Sequence, residues 1–407
     1  MAKIIAHIDL NAFFVRAEEI RNPKLVNRPV AIGGDGRGGI VSTCSYKARE
    51  YGVRSGMPMF KAKELCPELI IVHGDYLYYE VLSNEFFQVI SKYSRVIEEA
   101  SIDECYVDFT NRIPKGENLY TYFKQIQDDV FKSTGLKCSI GISVTKFLAK
   151  MGSDIKKPMG ITIIPKKEIA NILFKRDVGT YYGIGKTTEK LLKNYQISTI
   201  GQLYSKIKQN DPQIMEFFGK YASEIIEALE GRSSNVVSTS FDDPKSISCR
   251  TTLPSNTSDF DELLYYLNRT FDNVKRRFHK TKLLAGGIEI AFRFIDFKTK
   301  TYSKKLEFPT DNIEILREEI IELFKKRFKE GMELRQIGCA FERLVDSSEV
   351  PIQMTLFNFE SYSETDPTTE IISNFNHYFE QNEIETKLFR ASDLLEKEKK
   401  DENWDGN

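Results

Sequence analysis

Three carboxylates in the sequence stand where apolar runs end. Asp9 closes the run Lys3–Asp9, and Asp103 and Glu104 fall where two short strand-like segments join. Neighbouring residues of a regular strand point to opposite faces, but a bend relaxes that rule and lets both side chains turn toward one point. If the strand of Asp9 lies beside them, three acidic groups meet at one sheet edge. Because clustered carboxylates repel each other, we predict that a cation holds them together.

Mg²⁺ is the cation that best fits such a cluster. It prefers hard oxygen ligands, keeps several waters and shares its coordination sphere with substrate phosphates. Two such ions can stabilise both the attacking and the leaving oxygen of an in-line phosphoryl transfer. A single acidic residue at a strand end is commonplace, so this prediction depends on the three carboxylates acting as a set.

A second set of side chains could hold a polyphosphate. Tyr46 and Arg49 are three residues apart and share a face if a helix follows the preceding strand. Arg49 offers a guanidinium fork for phosphate oxygens, and Tyr46 offers a hydroxyl. Lys157 stands beside Pro158 at a predicted helix end, where a cation also stabilises the helix dipole. Together the three side chains could grip a triphosphate.

Composition excludes several classes of protein. The chain has 407 residues, of which 41 % are hydrophobic, and this excludes disorder and collagen-like repeats. No run approaches about 18 consecutive apolar residues, so we expect neither a membrane span nor a secretory signal. The 6 cysteines form no CxxC pair, and with 4 scattered histidines they make no zinc pattern. We expect reduced thiols in a cytoplasmic protein.

Charge is distributed unevenly along the chain. Residues 358–407 hold 13 acidic and 5 basic residues, whereas the preceding 357 residues hold 53 basic and 46 acidic ones. A mildly basic body with an acidic tail permits a polyanionic partner without requiring one.

The order of elements predicts a multidomain α+β protein. Up to residue 175, strands alternate with helical patterns and include a tight hairpin, which predicts a ferredoxin-like sheet with an insertion at about 20–75. Residues 177–231 carry short helices with Gly-containing turns, and 232–245 form a predicted polar linker. From 246 to 344 the order strand, helix, strand, strand, helix, strand predicts a second small α+β unit.

A glycine-containing turn lies between two of the predicted short helices. It is not a P-loop, because the GxxxxGK[ST] pattern that ends at Thr187 needs glycine where Thr180 stands. The turn instead suits a helix-hairpin-helix, whose backbone N–H groups can hold a DNA phosphate. We predict this contact for Gly183, Gly185 and Lys186.

Seven segments resemble the motifs of the Y-family DNA polymerases, in particular those of the bacterial DNA polymerase IV branch of translesion enzymes. They are Ile8–Phe14, Ser42–Arg49, Gly52–Pro58, Ser101–Glu104, Gly141–Ser143, Lys146–Lys150 and Lys157–Gly160. The resemblance is specific over the first 230 residues, looser from 245 to 345 and weak in the tail.

This resemblance implies a template-directed DNA polymerase of low fidelity. It would add dNTPs to a primer 3′ end without proofreading and serve DNA damage tolerance and mutagenesis. Asp9, Asp103 and Glu104 would hold two Mg²⁺ ions, with the Leu10 backbone carbonyl as a further ligand.

The resemblance also implies roles around the incoming nucleotide. Those assigned to dNTP binding are Thr43, Tyr46, Arg49 and Lys157. Phe14 would be the steric gate, an aromatic ring that fills the space of a ribose 2′-OH and selects deoxynucleotides by exclusion. Phe13 is its rival for that role. Gly56 would lie beside the templating base, where a small residue leaves room for damaged bases.

The implied architecture follows the Y-family plan. It comprises a palm (1–20 and 76–175), fingers (21–75), a helix-hairpin-helix thumb (176–231), a linker (232–245), a little finger (246–345) and a C-terminal segment (346–407). Basic residues of the little finger would contact template and primer phosphates without reading sequence. They are Arg250, Lys275, Arg276, Arg277, Lys298, Lys300, Lys304 and Lys305.

One short motif follows the last predicted domain. The segment Gln353-Met354-Thr355-Leu356-Phe357 resembles the bacterial sliding-clamp binding motif, in which Gln353 and the pair Leu356 and Phe357 would fill an apolar groove. The alternative is a last strand of the little finger. The expected partners are thus primer–template DNA, dNTPs and a sliding clamp, with the protein a monomer and no membrane involved.

Two other classes of function stay open. The first is a catalytically inactive accessory protein that binds DNA and the clamp, although the retained carboxylates speak against it. The second is a different two-metal palm enzyme such as a nucleotide cyclase. Those enzymes carry GG[DE][DE]F at the hairpin, where this chain has Ser101-Ile102-Asp103-Glu104.

Overall fold

The structure is a computed structural model, and it describes residues 3–240 and 242–349. The chain forms two compact units. Of the described residues, the first unit holds those up to Asp243 together with Thr252–Asn256, and the second holds Pro244–Thr251 and residues 257–349. Over the described residues, no helix has the length and apolar character needed to cross a membrane. The six cysteines are free.

Strands and helices alternate through the first unit. Its strands are β1 (Ile5–Leu10), β2 (Val30–Gly33), β3 (Val41–Cys44), β4 (Ile70–Val72), β5 (Ile97–Glu99), β6 (Glu104–Asp108), β7 (Cys138–Ser143) and β8 (Ile161–Ile163). Its helices are α1 (Phe13–Arg21), α2 (Tyr46–Glu50), α3 (Met59–Leu65), α4 (Tyr76–Ser91), α5 (Leu119–Thr134), α6 (Lys146–Ile155), α7 (Ile169–Leu173), α8 (Lys186–Asn194), α9 (Ile200–Lys208), α10 (Pro212–Phe218) and α11 (Tyr221–Leu229).

The main sheet of the first unit has the strand order β5-β6-β1-β7-β8. Strand β1 is antiparallel to both β6 and β7, and β8 adds to the edge parallel to β7. The elements β1, α4, β5, β6, α5 and β7 give the βαββαβ arrangement that the sequence predicts, so the ferredoxin-like fold is confirmed. Every residue of β1 is buried, because the strand has neighbours on both sides and helices above and below.

Helix α6 packs unusually close to the main sheet. Gly141 on β7 makes this possible, since a Cβ atom there would lie 2.0 Å from the carbonyl oxygen of Ala149 on α6. The close approach brings the buried face of α6 over β1 and β7.

The predicted insertion holds a small sheet of its own. Strands β3, β2 and β4 pair in that order, and β2 runs parallel to β4. Buried side chains from this sheet, α2 and α3 make a separate apolar core. Helices α8 to α11 pack around another core, which includes Leu192, Leu203 and Leu229.

The remaining elements build a second sheet. They are β9 (Ser246–Thr257), α12 (Phe260–Phe278), β10 (Leu284–Phe294), β11 (Thr299–Thr310), α13 (Ile313–Arg327) and β12 (Leu334–Val345). The strand order is β11-β10-β12-β9. Aromatic rings of α12 and β12 form its centre, where Phe271 and Phe278 meet Phe341 edge to face. The second α+β unit predicted from the sequence is therefore present.

Three details of the sequence prediction need correction. Helix α6 ends at Ile155, so Lys157 lies two residues beyond it and not at its end. The first strand of the hairpin is Ile97–Glu99, whereas its sequence pattern predicts a strand at Arg95–Glu98. Strands β4 and β8 were not predicted, because three residues are too few to show a strand periodicity.

Candidate active site

Two of the three predicted carboxylates face each other across neighbouring strands. Asp9 on β1 is directly opposite Glu104 on β6. Directly opposed residues of an antiparallel pair share a face, with Cβ atoms about 5 Å apart. Asp9 is buried, with 8 % of its surface exposed, and Glu104 is half-buried. The predicted meeting of these two acidic side chains is confirmed.

Asp103 occupies the bend just before β6. Its Oδ1 accepts a hydrogen bond of 2.6 Å from the hydroxyl of Ser101, and its carbonyl oxygen accepts one of 2.9 Å from the Leu10 N–H. The backbone bond ties the bend to the end of β1. Asp103 lines the same cavity as Asp9, but it is not part of the tight cluster formed by His7, Asp9 and Glu104.

Two lysines balance the charge of the carboxylates. Lys150 on α6 donates to Oδ2 of Asp9 at 3.2 Å and also to Oε2 of Glu104. Lys157 donates to Oδ1 of Asp9 at 2.6 Å and pairs with Asp154 at 2.8 Å. Burial raises the pKa of Asp9, and the two lysines partly offset that rise. Burial opposes the charge of Lys150, but Asp9 and Glu104 outweigh it and raise the lysine pKa.

His7 is a buried neighbour of Glu104. Its Nδ1 lies 2.8 Å from the Ser153 hydroxyl, and its Nε2 lies 3.4 Å from Oε2 of Glu104. The nearby His7 ring and the Lys150 ammonium hold the pKa of Glu104 below its usual range, and burial lowers the pKa of His7. Ligand atoms of His7, Asp9 and Glu104 lie within 4.8 Å of one another, so they could hold a metal ion.

Sequence reasoning missed the roles of His7 and Lys150, although both leave a signal. His7 precedes Asp9 by two residues, and the strand period of two places both side chains on one face. Lys150 follows Lys146 by four residues on α6, and Lys146 pairs with Glu98 at 2.9 Å. Two lysines on one face of a helix that packs on the sheet indicate acidic partners there.

The predicted nucleotide-binding side chains line one cavity of about 280 Å³. Those that line it are Thr43, Tyr46, Arg49 and Lys157, together with Asp9, Asp103, Leu10 and Phe14. The short helix α2 starts directly after β3, where Ser45 accepts a hydrogen bond from the Ala48 N–H. The guanidinium of Arg49 then lies over the Tyr46 ring, 4.7 Å from its centre, which confirms that the two residues share a face.

Asn11 holds the segment that carries Lys157. Its Oδ1 accepts a hydrogen bond of 2.8 Å from the Met159 N–H, and its amide donates to the Ser139 hydroxyl at 3.0 Å. Asn11 is buried, so these bonds link the end of β1 to the turn after α6. This link explains why Lys157 reaches Asp9 from outside the helix.

The two adjacent phenylalanines of α1 have different surroundings. Phe13 is 3 % exposed and belongs to the core under the main sheet. Phe14 is half-buried and stacks on the ring of Tyr79 at 4.4 Å, whereas both phenylalanines border the cavity. This difference favours Phe14 over Phe13 as the residue that a bound nucleotide would meet.

The other predicted site residues lie apart from the carboxylates. Gly56 is exposed with a φ of 81°, and its neighbour Ser55 lines the cavity. Gly183 has a φ of 104°, and Gly185 caps helix α8, which begins at Lys186. Gln353, Leu356 and Phe357 lie outside the described residues.

The chain matches two family models. Residues 8–154 match the impB/mucB/samB family, and residues 244–356 match the C-terminal domain of that family. DNA polymerase IV of Bacillus velezensis is 33 % identical over 97 % of this chain and 94 % of its own length. DNA polymerase IV of Ureaplasma parvum is 34 % identical over 88 % of this chain and 98 % of its own. The chain belongs to the Y-family DNA polymerases, in the DNA polymerase IV branch.

Solved structures agree with this family. A Y-family DNA polymerase chimera of Dbh and Dpo4 superposes with a TM-score of 0.73 at 26 % identity, covering 84 % of this chain and 99 % of the chimera. An insertion ternary complex of Dbh DNA polymerase gives a TM-score of 0.57 at 25 % identity with the same coverage. The chain is thus a DNA-directed DNA polymerase of the translesion type. The alternative of an inactive accessory protein is not favoured.

Proposed function

We propose that this polymerase extends a primer 3′ end on a template with dNTPs by two-metal phosphoryl transfer, using Asp9, Asp103 and Glu104. The observation that carries the proposal is the pairing of Asp9 with Glu104 across β1 and β6, with Asp103 in the adjoining bend. Acidic groups from residues far apart in sequence converge on the cavity that also collects the phosphate-binding candidates.

The donor set fits Mg²⁺. Three carboxylates and the Leu10 backbone carbonyl are the hard oxygen ligands that this ion prefers. The cluster already attracts cations, since Lys150 and Lys157 donate to it from two sides. Bound ions would stabilise the attacking and leaving oxygens of the transfer. The protein holds the carboxylates in place through β-sheet pairing and through His7 and Ser101.

The incoming triphosphate would lie against β3 and α2. The Arg49 guanidinium can donate two hydrogen bonds to phosphate oxygens. Tyr46 and Thr43 supply hydroxyls from the same cavity wall. Lys157 would add a point charge on the opposite side, held there by its segment's bond to Asn11. Solved ternary complexes of the related Dbh polymerase support a nucleotide partner.

Selection of deoxynucleotides is assigned to Phe14. Its ring faces the cavity, so a ribose 2′-OH would meet it while a deoxyribose would not. Gly56 would border the templating base, where its missing side chain leaves open space: a Cβ there meets no atom within 4 Å.

The domain plan is part of the same proposal. The five-stranded sheet would be the palm, the β3-β2-β4 sheet the fingers, α8 to α11 the thumb and the second sheet the little finger, within the boundaries expected from the sequence. The turn at Gly183, Gly185 and Lys186 would hold a DNA phosphate, as N–H groups at the start of α8 can.

A primer-extension assay tests the central proposal. Wild-type protein with Mg²⁺ and dNTPs should extend a primed template, and chelating the metal should stop extension. Asp103→Asn should abolish extension because it removes a metal ligand. The matched control is Asp128→Asn, which changes a partly exposed carboxylate on α5 that pairs with Lys124. This variant should extend the primer normally. Normal extension by Asp103→Asn would show that this residue holds no metal.

Clamp binding through Gln353, Leu356 and Phe357 needs a separate test. Replacing Leu356 and Phe357 with Ala should leave basal synthesis intact and remove stimulation by the sliding clamp. Equal stimulation of both proteins would refute the motif. Size measurements of the free protein would check the expectation of a monomer.

A further inference from the structure

The ring of Phe14 is enclosed by aromatic neighbours. It stacks on Tyr79 with a centroid distance of 4.4 Å and an interplanar angle of 13°, and Tyr76 meets it edge-on at 5.5 Å. Tyr79 and Tyr76 both come from the first turn of α4. Since Tyr79 is fully buried, it forms the fixed wall behind the Phe14 ring.

The Tyr79 hydroxyl has a polar partner on α1. It donates a hydrogen bond of 2.7 Å to Oε1 of Glu18. Burial first, and then the Glu18 carboxylate, raise the pKa of Tyr79, so the hydroxyl keeps its proton and remains a donor. The contact fixes the rotation and tilt of the Tyr79 ring, because the bond is directional.

Glu18 belongs to the same helix as the ring it would control. Phe14 and Glu18 are four residues apart on α1, so both side chains face α4. Glu18 is 7 % exposed and does not line the nucleotide cavity. An apolar side chain would fill this position at a smaller desolvation cost. What the carboxylate adds is the hydrogen bond that it accepts from Tyr79.

We propose that Glu18 is a positioning residue for sugar selection, acting through Tyr79 on Phe14. The Phe14 ring can exclude a ribose only if it does not move when a 2′-OH contacts it. The Glu18–Tyr79 bond keeps the supporting ring in place, so the Phe14 ring cannot retreat. A deoxynucleotide needs no such retreat and should therefore be insensitive to the bond. This inference rests on the proposed gate role of Phe14.

Single-nucleotide insertion with matched dNTP and rNTP tests the proposal. The measured quantity is the ratio of the two kcat/KM values. Glu18→Leu removes the acceptor, and Tyr79→Phe removes the donor while keeping the ring. Each should lower the preference for dNTP by about two- to tenfold, the worth of one hydrogen bond. The gain should lie in rNTP insertion, with dNTP insertion changing less than about twofold.

Three control variants separate this role from a general structural one. Glu18→Gln keeps an acceptor oxygen and should retain most of the wild-type preference. Glu19→Gln alters the neighbouring carboxylate, which pairs with Arg16, and Tyr78→Phe alters the neighbouring tyrosine. Neither should change the ratio of dNTP to rNTP insertion.

A double variant distinguishes two outcomes: that Glu18 has no role in sugar selection, and that Phe14 is not the steric gate. Phe14→Ala should admit rNTPs, and adding Glu18→Leu to it should cause no further loss of preference. If Phe14→Ala admits rNTPs while Glu18→Leu or Tyr79→Phe keeps the wild-type ratio, the role of Glu18 is wrong and the gate stands. If Phe14→Ala itself leaves the ratio of dNTP to rNTP insertion unchanged, the assignment of Phe14 as the gate is wrong, and the proposed role of Glu18 is then wrong too.

Discussion

The two α+β sheets of this polymerase share an order of elements but not an order of strands. Both follow the pattern strand, helix, strand, strand, helix, strand along the chain. In the first unit the opening strand β1 lies between β6 and β7, whereas in the second the opening strand β9 lies at the sheet edge. The opening strand therefore has a paired strand on both sides in the first sheet and on one side in the second.

Buried polar groups follow this difference. Within residues 3–240 and 242–349, the buried polar and charged side chains belong to the first unit, with Thr270 as the exception. His7 and Asp9 lie on the central strand, and Lys150 covers them from α6. The second sheet instead buries a nearly continuous apolar core. His7 and Asp9 thus lie in the middle of their sheet, with a paired strand on each side of β1.

The largest effect should come from neutralising a carboxylate of the first sheet. Asp9→Asn should lower the primer-extension rate by at least about 10³-fold, since transition-state charge loses its metal support. Glu289→Gln changes a carboxylate on β10 of the second sheet, which pairs with Arg250 at 3.3 Å. It should lower the rate less than about threefold. Similar losses of primer-extension rate in both variants would contradict the difference drawn between the two sheets.

Truncating the apolar core of the second sheet should cost stability. Phe271→Ala should lower the free energy of unfolding by about 4 kcal/mol, because it empties space beside Phe341 and Arg317. Hydrogen exchange should then speed up in α12 and β12 but not in β1 and β7. Equal loss of protection in both units would show that they unfold as one.

Removing the buried cation of the first sheet should have a smaller effect that metal reverses. Lys150→Met leaves Glu104 without its lysine partner and Asp9 with Lys157 alone, and should cost about 3 kcal/mol without metal. Adding Mg²⁺ should raise the Tm of this variant more than that of wild type, since the ion would replace the lost charge. Arg250→Met, which opens an exposed pair, should cost about 0.5 kcal/mol and show no metal effect. Equal Tm shifts with Mg²⁺ in all three proteins would contradict this account.

Much of the fold follows from sequence periodicity. Helix α12 could be predicted from the sequence, because its apolar residues recur at helical spacing over five turns. The ferredoxin-like arrangement could be predicted because each of its long elements carries its own pattern. Strand order in the second sheet could not, since edge and central positions depend on contacts between distant segments.

The candidate site was only partly predictable, for a similar reason. Asp9 and Glu104 stand out because a charge interrupts an apolar run at a strand end. His7 and Lys150 do not, since their partners become visible only when the strands pair and α6 packs on Gly141. The metal-binding role of Asp103 stays a prediction: its side chain bonds to Ser101 in the bend.

The central place of β1 means that this strand waits for its partners during protein synthesis. Strand β1 is translated before both of its partners, which end at Asp108 and Ser143. At about 5 to 20 residues per second, roughly 7 to 27 s pass between translation of β1 and completion of β7. The edge of β1 that pairs with β7 has no partner throughout that interval, so its backbone N–H and C=O groups are open to pairing with other chains until β7 is made.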